Sequence, residues 1–93
     1  MKTILLNGKK MTNKRIAHLY LKRKLSLPNH YGENLDALWD LLSTWSDELN
    51  ILMYNTQYME ASLGDYGNSL INVFREATCE NDRIIFRAIH IKR

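Results

Sequence analysis

Three short apolar runs, separated by stretches of helical periodicity, constrain this chain more tightly than any other feature. Residues 3–6 (Thr-Ile-Leu-Leu) and 50–54 (Asn-Ile-Leu-Met-Tyr) have strand length, and the first ends at the turn signal Asn7-Gly8. Residues 84–91, Ile-Ile-Phe-Arg-Ala-Ile-His-Ile, form the clearest strand. It is β-branched and nearly continuously apolar, as expected of a sheet covered on both faces. Strands separated by helical connections point to parallel pairing through right-handed crossovers. The expected fold class is α/β, a three-stranded parallel sheet flanked by about four helices. A chain of 93 residues rarely holds two hydrophobic cores, so residues 1–93 are read as one domain.

The connections carry their own signals. Thr12 or Asn13 is placed to cap a helix running to about Leu25, with Ile16, Leu19 and Tyr20 inward and the lysines outward. Pro28 and Gly32 mark a loop, and the proline pushes Leu27 towards extended geometry. Asn34 is a suitable N-cap for a helix over about 35–44, and residues 56–63 read as a short helix. Gly64 to Gly67 reads as a break, after which Asn68 caps a helix to about Glu80. Along that helix Leu70, Val73, Phe74 and Ala77 follow the i, i+3, i+4, i+7 rule.

The formal net charge of +3 conceals a segregation. Residues 1–24 contain Lys2, Lys9, Lys10, Lys14, Arg15, Lys22, Arg23 and Lys24 and no acid, a block of +8. Residues 25–74 contain Glu33, Asp36, Asp40, Asp47, Glu48, Glu60 and Asp65 and no Lys or Arg, a block of −7. Residues 75–93 add +2. Two surfaces of opposite sign are expected, and the acidic one needs a reason.

That reason lies in the helix over 35–44. At roughly 100° per residue, Leu35, Leu38, Leu42 and Trp45 share one side, with Trp39 and Leu41 on its flanks. Asp36, Asp40, Ser43 and Asp47 fall on the other. Asp is a poor mid-helix residue, and like charges at i, i+4 cost about 0.2–0.5 kcal/mol. The helix N-terminal dipole accounts for Asp36 as an ordinary solvated residue. Asp40 lies beyond the first turn, with no Lys or Arg at i±3 or i±4. Its carboxylate is free for a cationic pocket on another molecule, which would gain charge-assisted hydrogen bonds.

The segment 27–40, Leu-Pro-Asn-His-Tyr-Gly-Glu-Asn-Leu-Asp-Ala-Leu-Trp-Asp, resembles the hallmark of the barstar family of ribonuclease inhibitors. The likeness continues to Trp45 and reappears at Val73-Phe74-Arg75-Glu76-Ala77. This resemblance implies a three-stranded parallel α/β fold and inhibition of an extracellular-type or toxin-domain ribonuclease, one to one, within the producing cell. It implies that the acidic helix and the loop before it enter the enzyme's active-site cleft. Asp40 would then be the main anchor, standing in for an RNA phosphate among cationic enzyme groups, with Asp36 and Glu76 as secondary charge contacts. Gly32, Asn34, Leu35, Trp39, Ser43 and Thr44 would surround them, with His30 and Tyr31 in the entering loop. The family's prototype inhibitor–nuclease pair is itself the reference case for electrostatic steering and charged hot spots, so those magnitudes carry no independent weight for this chain. Three features depart from the family pattern. His30 replaces a stacking Tyr, Ser43-Thr44 replaces a Thr-Gly pair suited to a left-handed cap, and the chain is net basic.

Other functions find less in the sequence. His18, His30 and His90 with Glu76 would be needed for ribonuclease activity, but no local signature of a catalytic pair accompanies them. A small basic nucleic-acid-binding domain is the alternative reading, through Lys14, Arg15, Lys22, Arg23 and Lys24, but no interleaved aromatics support it. Cys79 is the only cysteine, so no intrachain disulfide and no thiolate metal cage can form, which suits a reducing cytoplasm. Its place half a turn from the Leu70–Phe74 stripe leaves exposure and burial both open. The apolar run at 3–6 is too short for a signal-peptide core or a membrane span. No membrane, cofactor, metal or small-molecule substrate is expected.

Overall fold

The three apolar runs form β1 (Lys2–Asn7), β2 (Leu49–Tyr54) and β3 (Ile84–Ala88) in a computed structural model that describes residues 2–89. The sheet has the order β1-β2-β3 with both pairs parallel. Ile4 lies beside Ile51 and Ile51 beside Phe86, which places these three on one face. The expected α/β sheet is therefore present. The ladder runs one bond past β3, where the Ile89 N–H donates to the Met53 carbonyl at 2.9 Å. His90 and Ile91, read as the end of that strand, lie outside the described residues.

Four helices connect and flank the strands: α1 (Lys14–Lys24), α2 (Leu35–Ser43), α3 (Thr56–Leu63) and α4 (Asp65–Glu80). Asn13 rather than Thr12 caps α1, its Oδ1 accepting the Ile16 N–H at 2.9 Å. Asn34 caps α2 in the same way, accepting from Ala37 at 2.8 Å. Such caps contribute about 1 kcal/mol each.

Three expectations are corrected here. The sheet is not covered on both faces: Ile4, Leu6, Ile51 and Ile84 are buried, whereas Leu5 and Ile85 on the opposite face are 49% and 44% exposed. Right-handed crossovers that always step the same way, as in the order β1-β2-β3, carry their helices to one side of a sheet. In α1, Ile16 and Leu19 point outward, and the inward face is Ala17, His18, Tyr20 and Leu21. Small Ala17 lets the helix approach closely, and Tyr20 spans to β1, its hydroxyl accepting the Asn7 N–H at 2.9 Å. Finally, α4 begins at Asp65, not after Asn68, and the break is confined to Gly64 at φ +59°. Gly67 is buried inside α4, where a Cβ would stand 3.4 Å from both the Leu63 Cβ and the Met59 carbonyl oxygen.

The core lies between the inner sheet face and the helices. Phe74 of α4 stacks on Phe86 of β3 with centroids 4.9 Å apart, while α2 contributes fully buried Leu38 and Leu42. Burial of each leucine is worth roughly 1.5–3 kcal/mol. That outweighs the few tenths of a kcal/mol lost to two like charges on the outer face of α2. The carboxyl end of α2 is tied down by Asn81, a buried polar residue just after α4. Its Nδ2 donates to the carbonyls of Leu42 (3.0 Å) and Trp45 (2.9 Å), and its Oδ1 accepts the Arg83 N–H at 3.1 Å.

Candidate partner-binding surface

The loop before α2 is shaped by backbone geometry first. The Tyr31 N–H donates to the Pro28 carbonyl at 2.9 Å, closing a turn. The left-handed residue that redirects the chain into α2 is Glu33, at φ +53°, rather than Gly32. A non-glycine residue in that region costs about 1 kcal/mol and persists only where its surroundings fix it. Here the Asn34 side chain fixes both sides. Its Oδ1 caps α2 and its Nδ2 donates to the Gly32 carbonyl at 3.1 Å.

This loop and the first turns of α2 enclose a shallow recess of about 210 Å³, lined by His30, Tyr31, Gly32, Ala37, Asp40 and Leu41. Asp40 and His30 are exposed at its edges. Among the described residues, the carboxylates of Asp36, Asp40 and Glu76 have no hydrogen-bond or ion-pair partner. Glu76 is exposed on α4, the helix packed against α2.

Trp45, which spacing places on the apolar side of the helix, and Trp39, on its flank, separate in the structure as well. Both are half-buried, but Trp45 packs on the hydrophobic core and Trp39 does not. Leu35 is half-buried and packs on the core as well. Ser43 and Thr44 turn back on their own helix, both hydroxyls donating to the Asp40 carbonyl at 3.2 and 2.7 Å. Thr44 ends α2 at φ −108° and ψ 9°, outside the left-handed region, so the missing glycine leaves no strain. These two residues line a second recess of about 470 Å³ at the far end of α2, together with exposed Cys79 and buried Asn81. The sequence-derived set is therefore split between the two ends of α2.

Tyr31 differs most from its expected place. Its side chain is turned inward, 5% exposed, with its hydroxyl 2.6 Å from His18 Nδ1. His18 Nε2 lies 2.6 Å from the hydroxyl of Tyr66 in the first turn of α4. Burial lowers the His18 pKa below 6.5, with Glu33 opposing. Burial likewise holds the Tyr31 phenol well above its ordinary range, with Tyr66 and Glu33 adding to the effect. Tyr66 is shifted upward by burial alone. Sequence spacing gave no sign of this chain of three, because its members lie 13 and 48 residues apart.

Both ring nitrogens of His18 are taken by tyrosines, and His30 is exposed at the rim of the recess it shares with Asp40. The basic outer face of α1 presents Lys14, Arg15 and Arg23 around Ile16 and Leu19, with Tyr20 buried. It lacks the flat exposed aromatics on which single-stranded bases stack. No helix among the described residues is long and apolar enough to cross a membrane.

The family model described as barstar (barnase inhibitor) matches residues 1–90. A Bacillus subtilis (strain 168) protein named "Putative ribonuclease inhibitor YrdF" is 38% identical over 78 residues, covering 83% of this chain and 86% of its own. With the parallel sheet and the capped acidic helix already in view, the match places the chain as a member of the barstar family.

Proposed function

We propose that this protein inhibits a basic, barnase-like ribonuclease by laying α2 and the loop before it over the enzyme's active site. Supporting this are the barnase-inhibitor description of the family and the ribonuclease-inhibitor name of the B. subtilis relative. The observation that carries the reading is the exposed Asp40 carboxylate, unpartnered at the rim of a recess shared with His30 and Gly32. An anion so placed offers itself to the Arg, Lys and His groups that hold an RNA phosphate. Asp36 and Glu76 add negative charge on neighbouring surface, with Trp39, Asn34 and Gly32 as uncharged contacts. On this reading the protein is not an enzyme. It acts one to one as a cytoplasmic immunity protein or antitoxin against a nuclease made by the same cell or by a competitor.

The test is inhibition of a small basic ribonuclease encoded beside this protein, or of one captured by it. Asp40→Ala is expected to raise the inhibition constant roughly 30-fold or more, a range set partly by the family's own prototype pair. An unchanged constant in a folded variant would remove Asp40 from the site.

A further inference from the structure

The loop that lines the recess is fastened to α1 by a buried contact with His18 and, at the surface, by Lys22 Nζ donating to the Asn29 carbonyl at 3.4 Å. Tyr31 belongs to the loop, His18 to α1 and Tyr66 to α4, and each tyrosine contact of His18 is 2.6 Å. A neutral imidazole has one donor and one acceptor, so its two tyrosine contacts must run in opposite senses. The Tyr31–His18 contact is buried and the Tyr31 hydroxyl hydrogen has no other acceptor, so it must donate to Nδ1. Nε2 then carries the proton and donates to the hydroxyl of Tyr66, a residue only partly buried.

We infer that His18 is a positioning residue for the partner-binding loop, and that Tyr66 on α4 fixes the tautomer in which it holds Tyr31. The inference deepens the proposed inhibitory function and rests on it. The charged groups around the chain are Glu33 from the loop and Lys14 from α1, whose Nζ stands 4.7 Å from the Tyr66 ring centroid. A proton added to Nδ1 leaves Tyr31 without an acceptor, so the loop loosens as His18 becomes charged.

Two measurements on Tyr66→Phe test this. In the free protein, hydrogen exchange at the Tyr31 and Ala37 amides should accelerate, and ¹⁵N shifts should show His18 leaving the single Nε2–H tautomer. Against the nuclease, inhibition should weaken about two- to tenfold, the usual effect of one lost hydrogen bond. His18→Gln keeps one donor and one acceptor without titrating. It should retain most of the inhibition while flattening its dependence on pH between 7.5 and 5.5. Unchanged exchange and tautomer in Tyr66→Phe overturn the inference, whatever the nuclease shows. Altered exchange with wild-type inhibition, while Asp40→Ala loses it, also overturns it. If Asp40→Ala inhibits normally but exchange in Tyr66→Phe accelerates, the location of the binding site fails and the His18 tether stands.

Discussion

The side-chain amide of Asn81 donates to the carbonyl oxygen of Leu42 across 3.0 Å, joining the end of α2 to the turn that follows α4. The same group reaches the Trp45 carbonyl, so one buried residue holds the exit of the acidic helix. Asn81→Ala should destabilise the protein by about 2–3 kcal/mol, because buried polar groups lose their partners. Asn81→Asp turns an acceptor towards those carbonyls, and its deficit should be larger at pH 7 than at pH 4. Urea unfolding of both variants at the two pH values checks the pattern.

The outer face of α2 should be nearly indifferent to charge removal as far as folding is concerned. The Asp40 carboxylate has no partner within the described residues and lies four residues from Asp36. Asp40→Asn should leave stability unchanged or raise it by about 0.2–0.5 kcal/mol through relief of like-charge repulsion. A loss above about 1 kcal/mol in a urea titration would mean that Asp40 supports the fold.

His18 gives stability a definite pH direction. Its folded pKa is lowered from 6.5, chiefly by burial, so over that interval the unfolded chain binds more protons than the folded one. Its contribution is therefore fully present above pH 6.5 and is lost as pH falls from 6.5 through the lowered value. Thermal unfolding at pH 7.5, 6.5 and 5.5 should show a steeper decline in the wild type than in His18→Gln. Parallel declines would contradict the assignment.

Two glycines should differ in how much stability alanine costs them. A Cβ on Gly8 would meet the Asn55 carbonyl oxygen at 2.3 Å, where backbone cannot yield, and about 2 kcal/mol or more should be lost. At Gly32 the nearest atom is the Asn34 side-chain nitrogen at 3.2 Å, which can shift, so the cost should stay below about 1 kcal/mol. Gly32→Ala narrows the recess beside Asp40 and should weaken inhibition in a protein that is still folded. Chemical denaturation and inhibition assays on the pair decide the ranking.

The strands, the Asn34 cap and the polar face of α2 were legible in the sequence because each rests on local period or local hydrogen bonding. The inward face of α1 was not. Residues 16, 19 and 20 match helical spacing as well as 17, 20 and 21 do, and the choice depends on partners far along the chain. The core side of Tyr31 was hidden for the same reason, since His18 becomes its neighbour only when α1 and the loop pack together. Gly67 read as a breaker because glycine usually is one; close packing against α3 supplies its place in a helix. The outer charges were visible, but the recess beside Asp40 depends on a left-handed Glu33 that no residue preference announces.

The tie between Asn81 and α2 also bears on how the protein is made. A ribosome delivers residues 35–43 well before it delivers residue 81, and β3, which completes the sheet, comes later still. Until then α2 has its N-cap but no anchor at its far end. The surface proposed to meet the nuclease is thus synthesised early and acquires its final shape only once Asn81 and β3 have followed it.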